Sequence, residues 1–257
     1  MLEKQTFYDR YHLQNDYFAK QLGVNNFTYF YIFQTFREAC LEGQWQHKKV
    51  LDVGCGVGTL SLWCAGQGAE VTGVDVSPRA IKIARRAQDA LKLKNVTFSE
   101  GELKNGKASY DVVICSEVIE HVPDPNMVAK QIFSHLKPGG LLILGTPSRQ
   151  NLLYKLGYYK QFDARVGHLR RYTEEEITRQ LTGVGFEILS LRKVEGPLRN
   201  ILFTSPLGFL IRGIKGPLVP WFHVFDQWSA QLFGAADFQI VAQKPSSKKK
   251  AKVTKKL

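Results

Sequence analysis

The sequence predicts an α/β fold: a mostly parallel sheet of seven strands with helices on both faces. Three observations carry that expectation. From residue 50 onward, short β-rich runs alternate with helical stretches. The first run feeds a glycine-dense turn that opens a helix, and the second run ends in an acid. The chain has 257 residues, 44% of them apolar, which is material for one sizeable core in one large domain.

Taken in order, residues 1–49 precede the sheet and read as helical, with aromatic residues at Phe27, Tyr29, Phe30, Tyr31, Phe33 and Phe36. That density suits either a lid or substrate-facing region or ordinary core packing. Strands are expected at Val50–Val53, Val71–Val74, Val96–Phe98, Asp111–Cys115, Leu141–Leu144, Phe186–Leu191 and Phe238–Ala242. Helices are expected at Leu60–Gly66, Pro78–Leu91, Asn126–Leu136 and Glu174–Thr182. The third of these meets Lys137-Pro138-Gly139-Gly140, a helix stop and turn. Thr173 with Glu176 forms a capping box for the fourth.

The domain therefore runs over 50–243, with an apolar insert at 195–236 between two strands that a short connection would ordinarily join. The insert is rich in Leu, Phe, Trp and Pro. Its apolar stretches, Ile201–Leu210 and Leu218–Phe225, are flanked by Arg199, Arg212 and Lys215, and it carries Trp221 and Trp228. Residues 244–257 hold seven of the twelve excess positive charges and no acid, the pattern of a disordered basic arm.

The four cysteines (Cys40, Cys55, Cys64, Cys115) make no CxxC pair, which fits free thiols in a reducing compartment. The first residues are too polar and acidic for a secretory signal, and no window reaches eighteen uncharged apolar residues. A cytoplasmic protein is expected, with a peripheral position at the inner face of a membrane as the alternative.

The chemistry-bearing signal is Val50-Leu51-Asp52-Val53-Gly54-Cys55-Gly56-Val57-Gly58. Glycines let the backbone turn sharply and approach a ligand, and the helix that follows offers free N–H groups. The GxGxG spacing is one residue short of the dinucleotide fingerprint, which disfavours a pyrophosphate and suits an adenosine ligand. Asp75 closes the second run seventeen residues after Gly58, where an acid accepts hydrogen bonds from ribose hydroxyls. Each feature alone has a structural explanation, a tight turn or a helix cap. Together they point to a nucleoside.

On these residues the chain resembles the class I S-adenosylmethionine-dependent methyltransferases, whose Rossmann-like fold it would share, over residues 48–193. The resemblance implies that Asp52, Gly54 and Gly56 surround the methionine part of the cofactor and that Asp75 holds the ribose. It places Glu102 near the adenine and Cys55, Val76 and Ser116 in the same pocket. The family's strand order would insert the last run, antiparallel, beside the fifth.

After the fourth run comes Ser116-Glu117-Val118-Ile119-Glu120-His121. Two carboxylates and an imidazole at the carboxyl edge of the sheet can hold a cation or move a proton. The stretch is similar to the ubiquinone-biosynthesis O-methyltransferases, whose E-x-x-E-H group is associated with a divalent cation. That similarity implies Glu117, Glu120 and His121 as ligands of Mg2+ or another divalent ion. Without a metal, His121, His168 and Glu117 are the catalytic candidates. The family has a Gly/His loop near Gly167-His168, but this chain continues with LRRY; Arg170 and Arg171 suit either an anionic group or solvent. No N-terminal arginine clearly matches the one this family sets near the cofactor.

The expected reaction is O-methylation of a hydrophobic phenolic, quinone-precursor or lipid-linked acceptor. Alternatives are another small molecule, an envelope glycan, a nucleic acid, or a non-catalytic cofactor-binding protein. A specific nucleic-acid partner is disfavoured, because the place of an (N/D)PP(Y/F) motif reads CSEVIEHV. The insert and Lys tail suit an anionic membrane surface, and a homodimer would also cover the insert.

Overall fold

The computed structural model describes residues 29–39, 41–204 and 218–246. At its centre lie β1 (Lys49–Val53), β2 (Glu70–Asp75), β3 (Val96–Glu100), β4 (Tyr110–Ser116), β5 (Leu136–Pro147), β6 (Glu187–Val194) and β7 (Asp237–Gln243). They form one sheet in the order β3-β2-β1-β4-β5-β7-β6. Neighbours are parallel except at β7, which runs antiparallel to both β5 and β6. All seven expected runs are strands, and the last lies antiparallel beside the fifth. Val50, Leu51, Val53 and Val112 to Cys115 are buried because helices cover both faces of these central strands.

Helices α1 (Phe30–Glu38), α2 (Thr59–Gly66) and α3 (Pro78–Leu91) cover one face. In α3, Ala80, Ile81, Ala84 and Ala87 make the buried stripe, while Ser77 Oγ caps the first turn through Ala80 N at 3.1 Å. On the other face lie α4 (Pro125–His135) and α7 (Glu174–Val184), whose Ile132, Ile177 and Leu181 meet Leu51, Val113, Leu142 and Ile240. The expected capping box forms in full: Thr173 Oγ1 accepts from Glu176 N at 3.2 Å, and Glu176 Oε2 accepts from Thr173 N at 2.9 Å. Two short helices escaped the sequence pattern, α5 (Leu152–Lys155) and α6 (Lys160–Val166).

Several expectations are corrected. Lys137 to Gly140 stop the helix but are drawn into β5, because Gly139 N donates to Lys244 O and Lys244 N to Gly140 O. Residues 41–48 form turns rather than helix, anchored by buried Leu41 and Trp45. Lys244 belongs to the fold, its Nζ donating to Phe133 O and Leu136 O at 2.7 and 2.8 Å. Residues 1–28, Cys40, 205–217 and 247–257 lie outside the described residues, and with them part of the expected lid, of the apolar insert and of the basic arm.

The aromatic residues of α1 divide between the two roles. Phe33 and Phe36 pack with Trp45 and Trp63 in the core at centroid distances of 4.7 to 6.0 Å. Phe30 and Tyr31 turn toward the insert, which contains α8 (Pro197–Thr204) and α9 (Leu218–Phe233). Phe30 stacks on His223, and Tyr31 Oη donates to Asp226 at 3.0 Å. The fully buried Asp226 also accepts from Gly196 N and Arg199 N. Ala236 N donates to Glu195 O at 2.8 Å, joining the two ends of the insert.

Within β1, the buried Asp52 accepts from Ser61 Oγ of α2 at 2.5 Å. Burial pushes its pKa up to about 7. The folded chain therefore keeps a proton that the unfolded chain releases near pH 4, and stability falls as pH rises from about 4 to 7. Asp52→Asn is expected to flatten this decline in the cofactor-free protein, by at most about 4 kcal/mol at pH 8. Urea titrations of both proteins at pH 5 and 8 check this; parallel pH dependences would contradict it.

Candidate active site

The carboxyl ends of β1, β2 and β4 and the start of β7 meet at one edge of the sheet, where open α/β sheets hold ligands. After β1 the chain folds back, and Gly54 N and Cys55 N both donate to Val74 O, at 2.8 and 3.1 Å. Gly54 has φ +69°, and a Cβ there would lie 2.4 Å from Val118 Cγ2, so the position requires glycine. The next turn is held by Asp75, whose two oxygens accept from Gly56 N and Ser77 N, each at 2.8 Å. A carboxylate offers about four lone-pair sites, so two remain for a ligand. Val76 follows, partly buried, and exposed Glu102 follows Gly101, whose N donates to Asp75 O. Ser116 ends β4. Asp52, Gly54, Cys55, Gly56, Asp75, Val76, Glu102 and Ser116 thus gather around the ends of four adjacent strands.

Beyond Ser116 the backbone turns left-handed at Glu117, φ +56°, with its N–H on Gly145 O at 3.0 Å. Such a conformation in a residue with a Cβ costs about 1 kcal/mol or more and marks a constrained position. Glu117 is exposed as a residue, yet protein surrounds its carboxyl, and that burial raises its pKa. It hydrogen-bonds Asp237, whose own pKa is pushed well up by burial and then by the Glu117 and Glu195 carboxylates.

Glu120 is fully buried, its Oε2 accepting from Thr146 Oγ1 at 3.1 Å. Its Oε1 lies 3.5 Å from His121 Nε2. Because His121 Nδ1 meets Gly167 O at 3.1 Å and must donate there, Nε2 presents a lone pair toward Glu120. Burial lowers the His121 pKa to about 4 and raises that of Glu120 well above its ordinary value. A neutral imidazole facing a carboxylate oxygen needs a proton or a cation between them.

Gly167 begins the second arm of the site. His168 Nδ1 lies 2.9 Å from Asp163 Oδ1, and Arg171 grips both oxygens of the same carboxylate at 2.7 to 3.1 Å. Despite burial, the hydrogen bonds from His168 and Arg171 hold Asp163 below the usual carboxylate range. An ionised Asp163 fixes His168 with Nδ1–H donating and Nε2 open. Ligand atoms of Glu120, His121 and His168 all lie within 4.8 Å of one another. Glu117 is not in that cluster; it turns to Asp237.

Neither arginine is the solvated or anion-binding group that the sequence suggested. Arg171 is buried over the Tyr159 ring at 4.1 Å and committed to Asp163. Arg170 donates to Ile119 O, Val122 O and Pro123 O, pinning the Glu120–His121 loop to the Gly167 loop. Asp163 and Asp237 escaped the sequence reading: one lies on a short helix with no period to announce it, the other opens a strand one residue before its apolar run.

A family model described as "Methyltransferase domain" matches residues 28–191. The ubiquinone biosynthesis O-methyltransferase of Bordetella avium is 42% identical over 112 residues, 42% of this chain and 46% of that protein. Its mitochondrial counterpart from Schizosaccharomyces pombe is 39% identical over 121 residues, 45% of this chain and 43% of that one. The matched stretch thus spans a little under half the length of these relatives. In fold, the chain is similar to a putative sarcosine dimethylglycine methyltransferase from Galdieria sulphuraria: TM-score 0.62, 15% identity, 82% of this chain and 84% of that one. The glycine loop, the acid after β2, the strand order and the matched 28–191 agree, and the chain belongs to the class I S-adenosylmethionine-dependent methyltransferases.

Proposed function

We propose that the protein moves a methyl group from S-adenosylmethionine to an oxygen of a hydroxylated aromatic acceptor of the quinone-precursor kind. One observation carries the proposal: the Asp163–His168 pair sits beside Glu120 and His121 at the edge that also holds the glycine loop and Asp75. The names of the relatives support the acceptor class. The sulfonium supplies an activated methyl group; the protein supplies orientation and a destination for the hydroxyl proton.

The loop Asp52 to Gly56 takes the methionine part, the two open lone pairs of Asp75 receive the ribose hydroxyls, and Val76 and Glu102 flank the adenine. Ser116 floors the pocket. His168 Nε2 accepts the acceptor's proton while Asp163 stabilises the imidazolium through Nδ1–H, and Glu117 faces the acceptor from the opposite arm. Glu120, His121 and His168 also fit a divalent cation, since the buried Glu120 Oε1 has no hydrogen-bond partner among the described residues. An ion there would lower the pKa of the acceptor hydroxyl.

A second feature concerns the partner surface. The outward face of α9 presents Trp221, Val224, Phe225, Trp228 and Leu232, with Trp221 76% exposed. No helix among the described residues is long and apolar enough to cross a membrane. An apolar stripe with two tryptophans, in a chain that ends in a Lys-rich segment, suits an anionic bilayer surface.

Asp75→Ala is expected to weaken S-adenosylmethionine binding by about 100-fold, the value of two hydrogen bonds to a charged group; calorimetry reads it, and no binding by the unaltered protein would sink the whole proposal. His168→Ala should lower kcat by about 100-fold or more while leaving cofactor affinity within about twofold. Asp163→Asn should follow it in the same direction, because it loses the charge that orients the imidazole. Full-length protein should co-sediment with phosphatidylglycerol-containing vesicles and Trp221→Glu/Phe225→Glu should not; equal recovery of the two in the supernatant removes the membrane assignment.

A further inference from the structure

The short helix α6 has no apolar face of its own to fasten it. None of its seven residues is buried, and a helix of that length does not persist in isolation. The residue just before it, Tyr159, is 1% exposed. Backbone bonds carry order onward from there. Asp163 N donates to Tyr159 O at 2.8 Å, and Gly167 N and His168 N both donate to Asp163 O at 2.9 Å. The four-residue step sets Tyr159 and Asp163 on one face of the helix, and His168 stands at its end.

Arg171 lies across that face. Its guanidinium carbon sits 4.1 Å from the centroid of the Tyr159 ring, while Nε and Nη2 reach the oxygens of Asp163 at 2.7 to 3.1 Å. Nη1 donates to Ser148 O at 3.4 Å. A planar guanidinium can rest on a ring and fork onto a carboxylate at once, which an ammonium cannot. The Tyr159 hydroxyl takes no part: it is buried and has no hydrogen-bond partner among the described residues. His168 is the far end of this stack. Among the described residues, Asp163 is the one hydrogen-bond partner of its ring, at 2.9 Å. The rings of His121 and Phe162, with centroids 4.8 and 5.9 Å away, meet it only edge-on.

We propose that Tyr159 is a positioning residue of the site: its ring holds the Arg171 guanidinium flat against Asp163, and Asp163 in turn fixes the His168 imidazole with Nδ1–H inward and Nε2 toward the acceptor. The proposal rests on the role given to His168 above. The aromatic face acts and the hydroxyl is idle. Without the ring, Arg171 keeps its charge but loses the surface that sets its plane. Asp163 then loses its fixed rotamer, and His168 the one bond that orients it.

Two variants of the full chain separate ring from hydroxyl: Tyr159→Phe keeps the ring, and Tyr159→Met fills the space without one. Tyr159→Met is expected to lower kcat by about tenfold, the worth of a desolvated cation–π contact, with the KM for S-adenosylmethionine within about twofold. Tyr159→Phe should keep both constants. In a His168→Ala background Tyr159→Met should lower kcat no further, because residues that act through one another do not add. NMR of protein labelled at the histidine nitrogens needs no turnover. The His168 ring, assigned by its loss in His168→Ala, should be the Nδ1–H tautomer in the unaltered chain and in Tyr159→Phe, and a mixture in Tyr159→Met. An unchanged tautomer in Tyr159→Met overturns the proposal, as does an equal loss in Tyr159→Phe or an undiminished loss in the His168→Ala background. Should no methyl be transferred, the function proposed above falls while the tautomer still decides the role of Tyr159. Should Tyr159→Met not fold, Arg171→Lys, which keeps the charge without the plane, is read by the same spectrum, and an unchanged tautomer there overturns the proposal.

Discussion

The antiparallel course of β7 is the constraint on which the site depends. Each parallel strand brings its last residue to the carboxyl edge, whereas β7 brings its first. Asp237 therefore stands at that edge opposite Pro147 on one side and Val194 on the other. The chain between β6 and β7 must leave from the edge and return to it, so α8 and α9 are bound to that end of the sheet, where α9 packs on β6. A parallel seventh strand would have carried the same insert to the far side of the sheet.

That geometry also crowds acids together. Glu117, Glu120 and Asp237 act on one another's charge, with Glu195 adding to it, while buried Arg171 is already paired with Asp163 and buried Arg199 with Glu195. Like charges in a poorly solvated place cannot all ionise, so protons are retained. Burial raises these carboxyl groups and lowers the imidazole of His121 alike, because it disfavours the charged form of each. His168 instead faces Asp163, which stays ionised under the double grip of Arg171. The His121 and His168 rings lie 4.8 Å apart, centre to centre, with different partners.

Strands and main helices were legible because apolar period and caps are local signals: Ser77, Asp124 and Thr173 each cap the helix that follows. The glycine loop and Asp75 were legible for the same reason, since their spacing along the chain sets their spacing in space. What stayed hidden depends on distant partners. Lys137 to Gly140 carry turn residues, but Lys244, far along the chain, supplies the hydrogen bonds that keep them in β5. Asp163 and Asp237 acquire meaning only beside His168 and Glu117. Arg170 looked like a solvent or anion group because nothing near it in sequence reveals the three carbonyls it binds.

The bond from Ala236 N to Glu195 O makes the two ends of the insert meet like the base of a stalk. Whatever grows from that base leaves the pairing of β6 with β7 untouched. Lineages could exchange the head for a longer, shorter or more polar one by recombination at two neighbouring points, without retuning the catalytic floor. The insert in such a chain is a graft, and the sheet beneath it is the rootstock.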